Sequence, residues 1–196
     1  MTACITCGPA TPLPVERGRA LRASFEAPPR YPEQALLLRS HDGFRGVSQE
    51  LGERAEARED GWRAYVELVF RLWHRGMAGH EAYEEHKLYP YLARRYRVSM
   101  EALAGDHEAL HGLRDDVLDA LEVAHGADSE AADDRVLDAL RTYDAALDTH
   151  LDREEARVIP LLLALEPEEF ETYTTTPIGA LLEGRPACAP EAPASA

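Results

Sequence analysis

Residues 80–92 read HEAYEEHKLYPYL, and residues 150–162 read HLDREEARVIPLL. Each stretch sets a His four residues before the first of two Glu, and a Pro six residues beyond that Glu. In the first copy Trp73, Met77, His80, Glu84, Leu88 and Tyr91 follow a 4-3-4-4-3 spacing, which is one face of a helix. Tyr143, Leu147, His150, Glu154, Val158 and Leu161 repeat that spacing seventy positions later. An imidazole and a carboxylate therefore stand in the middle of each otherwise apolar stripe. Burying such groups is costly unless they are paired or bound to a metal.

Working outward from these stripes, the spacing predicts four long helices and no strand. The first runs from about Pro32 to Arg58 and is followed by the break Glu59-Asp60-Gly61. The second runs from about Trp62 to Arg97. Ser99 can cap a third, which reaches about Ala124 and stops at Gly126. Asp128 or Ser129 can cap a fourth, ending near Leu165. Glu166-Pro167-Glu168-Glu169 opens a short fifth helix with Pro at its first position, which need not join the core. Short connections make neighbours antiparallel, so the expected architecture is an all-α, up-down-up-down four-helix bundle. We divide the chain into a flexible Pro-rich segment (1–30), the bundle (31–165), a short C-terminal helical segment (166–183) and a disordered tail (184–196).

The chain is 45% hydrophobic over 196 residues, enough for one sizeable core. No apolar run approaches the roughly 18 residues of a membrane span, and the N-terminus lacks the apolar segment of a signal peptide. A cytoplasmic location is the default expectation. A net charge of -15 argues against nucleic-acid or anionic-membrane partners, which need clustered Lys and Arg. Cys4 and Cys7 form a CxxC and Cys188 is alone in the other tail. A structural zinc site wants four ligands, so these read as incidental thiols.

Three more histidines join the repeated pair. His41 shares a face with Leu37, Phe44 and Leu51, while His107 and His111 are four apart on the third helix. His41 and His80 are about equally far from the first break, and Glu84 and His111 from the Arg97–Ser99 break, so all four helices can aim side chains at one level. The offset from His41 to His111 is again seventy, as if the second pair of helices were a divergent copy of the first. The candidate metal-ligand set is His41, His80, Glu84, His107, His111, His150 and Glu154. Imidazole with carboxylate suits iron, manganese, zinc or copper, and seven ligands exceed what one such ion uses. His74, His86 and His125 lie off these faces and are expected at the surface. Pro90 and Pro160 each remove a backbone bond, freeing the carbonyls of His86 and Ala156: tolerated kinks or bends that aim the HxxxE face.

In order, these motifs are a lone His41, HEAYE (His80, Glu84), HEALH (His107, His111) and HLDRE (His150, Glu154). They resemble the hemerythrin-like domains of the His-His-Glu cation-binding type, over roughly residues 31–165. The resemblance implies two non-haem iron ions joined by an oxo or hydroxo bridge. It places His41 and His80 on one ion, His107, His111 and His150 on the other, and Glu84 and Glu154 between them. Oxygen-carrying members set an Asp five residues after the last His; here Glu154 is four after and Glu155 five after, and Glu154, which keeps the stripe and mirrors Glu84, is the preferred bridging carboxylate over Glu155. Ferritin-like di-iron proteins need ExxH twice, whereas only Glu108–His111 has that spacing.

Three functions fit such a centre. One is binding (carriage, storage or sensing) of dioxygen or nitric oxide, a second is an oxidoreductase acting on peroxide, nitric oxide or iron, and a third is a structural clamp. Seven ligands on two six-coordinate ions leave open positions, which favours a reactive centre over a clamp. No further acid–base group stands out, which favours binding of a small diatomic ligand. Nothing in these motifs sets an oligomeric state.

Overall fold

The computed structural model describes residues 31–127, 129–177, 179 and 180, so the segment 1–30 and the tail 184–196 lie outside it. Its elements are α1 (Pro32–Ala57), α2 (Trp62–Tyr83), a π turn (Glu84–Leu88), α3 (Tyr89–Tyr96), α4 (Glu101–Gly126), α5 (Glu130–Leu163) and α6 (Pro167–Thr175). No strand occurs among the described residues. α2, the π turn and α3 form one continuous rod. With α1, α4 and α5 it makes the bundle, α5 packing against α1 and α4, and α2 against the same two.

The breaks follow local chemistry. Arg58 adopts the left-handed conformation (φ 51°) and its N–H reaches Arg54 O at 3.2 Å. Gly61 then sits at φ 79°, where a side chain would be strained. Arg97 (φ 53°) ends α3 while Val98 N–H bonds back to Ala93 O at 3.2 Å, a Schellman-type closure. Ser129 caps α5 by accepting from Ala132 N–H, and Asp128 lies outside the described residues. Ser99 serves α4 from one position further out, its hydroxyl accepting from Glu101 N–H at 3.2 Å.

The second rod differs from the single uninterrupted helix expected. Pro90 has no N–H for the carbonyl of His86, and Tyr89 N–H reaches back five residues to Glu84 O instead of four, the mark of a π bulge. One extra residue in the turn rotates everything after it. Tyr89 and Leu92 are buried as a result, whereas Tyr91, the expected stripe residue, is half-buried. On α5, Leu162 rather than Leu161 faces inward.

The apolar interior is in two parts. One contains Leu51, Val66, Phe70, Met77, Val117, Leu140 and Leu147. The other contains Leu37, Leu88, Leu92, Leu103, Val158 and Leu162. Along every rod the polar residues fall at the boundary: His41 after Leu38, His80 and Glu84 between Met77 and Leu88, His107 between Leu103 and Leu110, Glu154 between Leu151 and Val158. Each fully buried leucine contributes about 1.5–3 kcal/mol, so two such cores can carry a polar layer between them. α6 belongs to the second core through Phe170 and Tyr173. Phe170 stacks on Tyr31 at 3.9 Å, and Arg95 bonds Glu169 at 2.8 Å. No helix is long and apolar enough to cross a membrane among the described residues.

Candidate metal centre

Four imidazoles and two carboxylates converge in the polar layer. His41 Nε2 lies 3.2 Å from His80 Nε2 and 3.2 Å from Glu154 Oε2, and His80 Nε2 lies 2.6 Å from Glu84 Oε1. These four side chains offer ligand atoms all within 4.8 Å of one another. Across the bundle, His107 Nε2 lies 3.1 Å from His150 Nε2 and 3.4 Å from Glu84 Oε2, while His150 Nε2 is 3.9 Å from Glu154 Oε2. Glu84 and Glu154 are fully buried and stand in both groups. Two atoms each about 2.1 Å from one ion stand about 3.0 Å apart at a right angle and about 3.4 Å apart at the tetrahedral angle. The nitrogen–nitrogen separations match that range.

The carboxylates pass a second test of fit. Neither oxygen of Glu84 or Glu154 has a partner in hydrogen-bond geometry, although imidazole nitrogens approach them closely. Those approaches are off the line a hydrogen bond requires. Buried carboxylate oxygens left so are expensive, and a cation between them would satisfy all four. The donor set of imidazole and carboxylate is the one iron, manganese and zinc accept.

The second Glu of each repeated phrase has a different duty. Glu155 Oε1 receives His41 Nδ1 at 2.9 Å, and Glu85 Oε1 receives His107 Nδ1 at 2.8 Å. A carboxylate on Nδ1 fixes the ring and directs the Nε2 lone pair to the centre. Arg45, one turn after His41, locks Glu155 with Nη1 at 2.8 Å and reaches Asp152 and Asp148, each at 2.9 Å. His150 Nδ1 is 3.5 Å from Asp106 Oδ2. Of these two α5 carboxylates, Glu154 points inward and Glu155 supports His41.

His111 is not brought to the cluster. It is half-exposed, and its Nε2 is 2.8 Å from Glu81 Oε2. The reason lies in the connection Arg97–Met100. Tyr96 ends α3 twelve residues past Glu84, whereas His107 is only six past Glu101. Helix rises about 1.5 Å per residue and irregular chain up to about 3.3 Å. The connection thus carries the chain back past a turn and a half of helix, and His107 meets Glu84. The internal repeat therefore pairs His41 with His107, one turn short of the seventy-residue offset. His74 is not a surface residue either: it is half-buried among Phe70, Trp73 and Tyr143, at 4.5, 5.2 and 5.2 Å between ring centres. His86 and His125 are exposed, the latter 3.0 Å from Glu67.

The charges are strongly interdependent. Burial alone would lower the pKa of His41, but Glu154 and Glu155 raise it to about 9. His107, also opposed by burial, is raised to about 9 by Glu84 and Glu85. Burial would lift Glu84, yet His107 and His80 hold it at about 2. His150 falls to about 4 through burial and the neighbouring charge of His107, against the pull of Glu154.

Tyr89 is the neighbour that periodicity did not place. Its ring lies over His107 at 5.9 Å and 23°. Its hydroxyl is directed toward Glu154 but has no formed hydrogen bond. Burial, with the charges of Glu154 and Glu84, pushes its pKa far up, so the phenol keeps its proton. The signal for it was Pro90, whose missing N–H makes the π turn. For Glu85 and Glu155 the signal was the doubled Glu of each phrase.

A family model of the hemerythrin HHE cation-binding domain matches residues 34–162. No curated protein and no solved structure matches significantly.

Proposed function

The chain belongs to the hemerythrin HHE cation-binding family, and from that premise we propose that it is a non-haem di-iron protein that binds dioxygen or nitric oxide. His41 and His80 would hold one ion, His107 and His150 the other, with Glu84 and Glu154 shared. The observation that carries the reading is the pair of groups with nitrogens 3.2 and 3.1 Å apart, sharing two buried carboxylates that lack hydrogen-bond partners. Iron in such a site supplies reversible redox chemistry and open positions for a small ligand.

The residues around the centre do the rest. Glu155 and Glu85 hold His41 and His107 by their Nδ1 atoms. Arg45 holds Glu155 in turn. Leu147 and Leu151 on one side and Leu88 and Val158 on the other bound the polar layer with buried apolar side chains. Six protein ligands over two ions leave positions for an external ligand, as a reactive site requires.

A second reading, reduction of a peroxide by the same pair, is favoured by Tyr89. Its buried hydroxyl is directed toward Glu154 without a formed hydrogen bond there, so it can offer a hydrogen bond to a bound peroxide.

Metal content, with ultraviolet–visible spectra taken in air and after anaerobic reduction, tests both. Two irons per chain with charge-transfer bands that change reversibly with dioxygen support the binding reading. Irreversible oxidation with peroxide turnover supports the second. Stoichiometric zinc without redox-active colour overturns both.

A further inference from the structure

A cavity of about 390 Å³ opens between α1, α2, the π turn and α6, within the range of about 300–1,000 Å³ typical of small-molecule sites. Its floor is apolar: Leu37, Leu88 and Leu162 are buried there. Its rim is polar. Tyr83 and Tyr173 join hydroxyl to hydroxyl beside it, and Lys87 stands with them. The edge of His80 forms part of one wall.

Lys87 is the only lysine of the chain, against twenty arginines. It is half-buried, lies 5.0 Å over the ring of Tyr173, and reaches Thr174 O at 3.5 Å. No carboxylate of the described residues lies within ion-pair distance of it. In a chain of net charge -15, a half-buried ammonium facing a cavity with no counter-ion among the described residues is an unusual placement, since partly desolvated charges are normally paired.

We propose that this cavity binds a small organic carboxylate with an apolar body, its head on Lys87 and its body against Leu37, Leu88 and Leu162. A neutral apolar guest would desolvate the ammonium without compensating it. A bare small anion would leave the apolar floor in contact with water. A single cation also suits one carboxylate better than a phosphate, which is normally held by several donors. The proposal does not rest on the di-iron reading, because its contacts are Lys87, Leu37, Leu88 and Leu162, none of them a candidate metal ligand.

The single lysine makes the test site-specific. The full-length protein is treated with an amine-reactive acylating reagent, and the modification rate of Lys87 is followed by mass spectrometry, with the N-terminal amine as internal reference. Three probes are compared at equal concentration: hexanoate, hexan-1-ol and acetate. At hexanoate concentrations near ten times its Kd, the Lys87 rate should fall about tenfold relative to the reference, with little effect from hexanol or acetate. Equal protection by hexanol would mean an apolar pocket without anion recognition, and equal protection by acetate would mean charge alone; either overturns the proposal. So does an absence of protection. As a second variant, Leu36→Glu at the exposed rim should weaken hexanoate protection, while Leu68→Glu, exposed elsewhere, should not; the proposal is overturned if the two behave alike. Metal content measured on the same samples keeps this outcome separate from that of the di-iron reading.

Discussion

His41 Nδ1 lies 2.9 Å from Glu155 Oε1, and His107 Nδ1 lies 2.8 Å from Glu85 Oε1. The two histidines come from different helix pairs, yet each is held by the second Glu of the opposite phrase. Each also meets the His of one phrase through Nε2, His80 in one case and His150 in the other. The centre is thus two copies of one arrangement, facing each other across Glu84 and Glu154.

Supporting carboxylates of this kind should show in affinity. Glu155→Gln and Glu85→Gln keep size and remove charge, and each should weaken metal binding by about 10- to 100-fold. Competition with a chelator measures this, and unchanged affinity in both variants would remove the orienting role.

The position of His111 gives a sharp contrast. His107→Ala should lose a metal ion, whereas His111→Ala should retain both, because His111 is engaged with Glu81. His86→Ala, exposed on the π turn, should behave like His111→Ala. Elemental analysis of the three variants decides; loss of metal from His111→Ala would return that residue to the ligand set.

Glu84 stands in both halves, so Glu84→Ala should lose metal and stability together. Leaving buried imidazoles without their partner costs about 3–5 kcal/mol by analogy with broken buried ion pairs. A thermal melt beside metal analysis checks this, and full metal content in the variant would end the shared role of Glu84.

Tyr89→Phe removes one hydroxyl and keeps the ring over His107. Iron content should be unchanged. If the second reading holds, peroxide turnover should fall by about 10-fold, the loss of one hydrogen bond of about 1.4 kcal/mol to the bound peroxide. Stopped-flow and steady-state assays on the iron-loaded variant measure it, and undiminished turnover removes Tyr89 from the chemistry.

His74 provides a pH test away from the cluster. Burial, with the neighbouring charges of Arg114 and His111, lowers its pKa from 6.5 to about 4. Between those values the unfolded chain holds more protons than the folded one, so this group costs stability as pH falls below 6.5. His74→Phe removes that dependence, and the variant should gain on the wild type from pH 7 to pH 5. Paired denaturant titrations supply the difference; a difference flat in pH would mean that His74 is not buried neutral.

Periodicity was enough for the bundle, because Leu51, Met77, Leu147 and their neighbours recur at helical spacing and are buried. The match over residues 34–162 agrees with the motif order read from His41 to Glu154. Less legible was anything set by a connection or a backbone defect. The choice of His107 over His111 opposite Glu84 depends on how far Arg97–Met100 carries the chain, and no periodicity encodes that. Tyr89 turns inward only because the π turn adds a residue before Pro90. Glu85 and Glu155 sit beside the stripe, and their partners across the bundle are visible only once the helices are packed.

The π turn occurs in one repeat alone. Seventy residues on from Tyr89, at the matching place in α5, stands Ile159, fully buried in an uninterrupted helix. The two halves are alike in their histidines and carboxylates but unlike in what surrounds them. A phenol covers the side of His107, while the cavity opens at the edge of His80. The cage therefore has two unlike approaches: one hollow meets the edge of His80 beside Leu37 and Lys87, and a second on the other side meets Tyr89 and Glu85, so a small molecule finds an imidazole at one door and a phenol at the other.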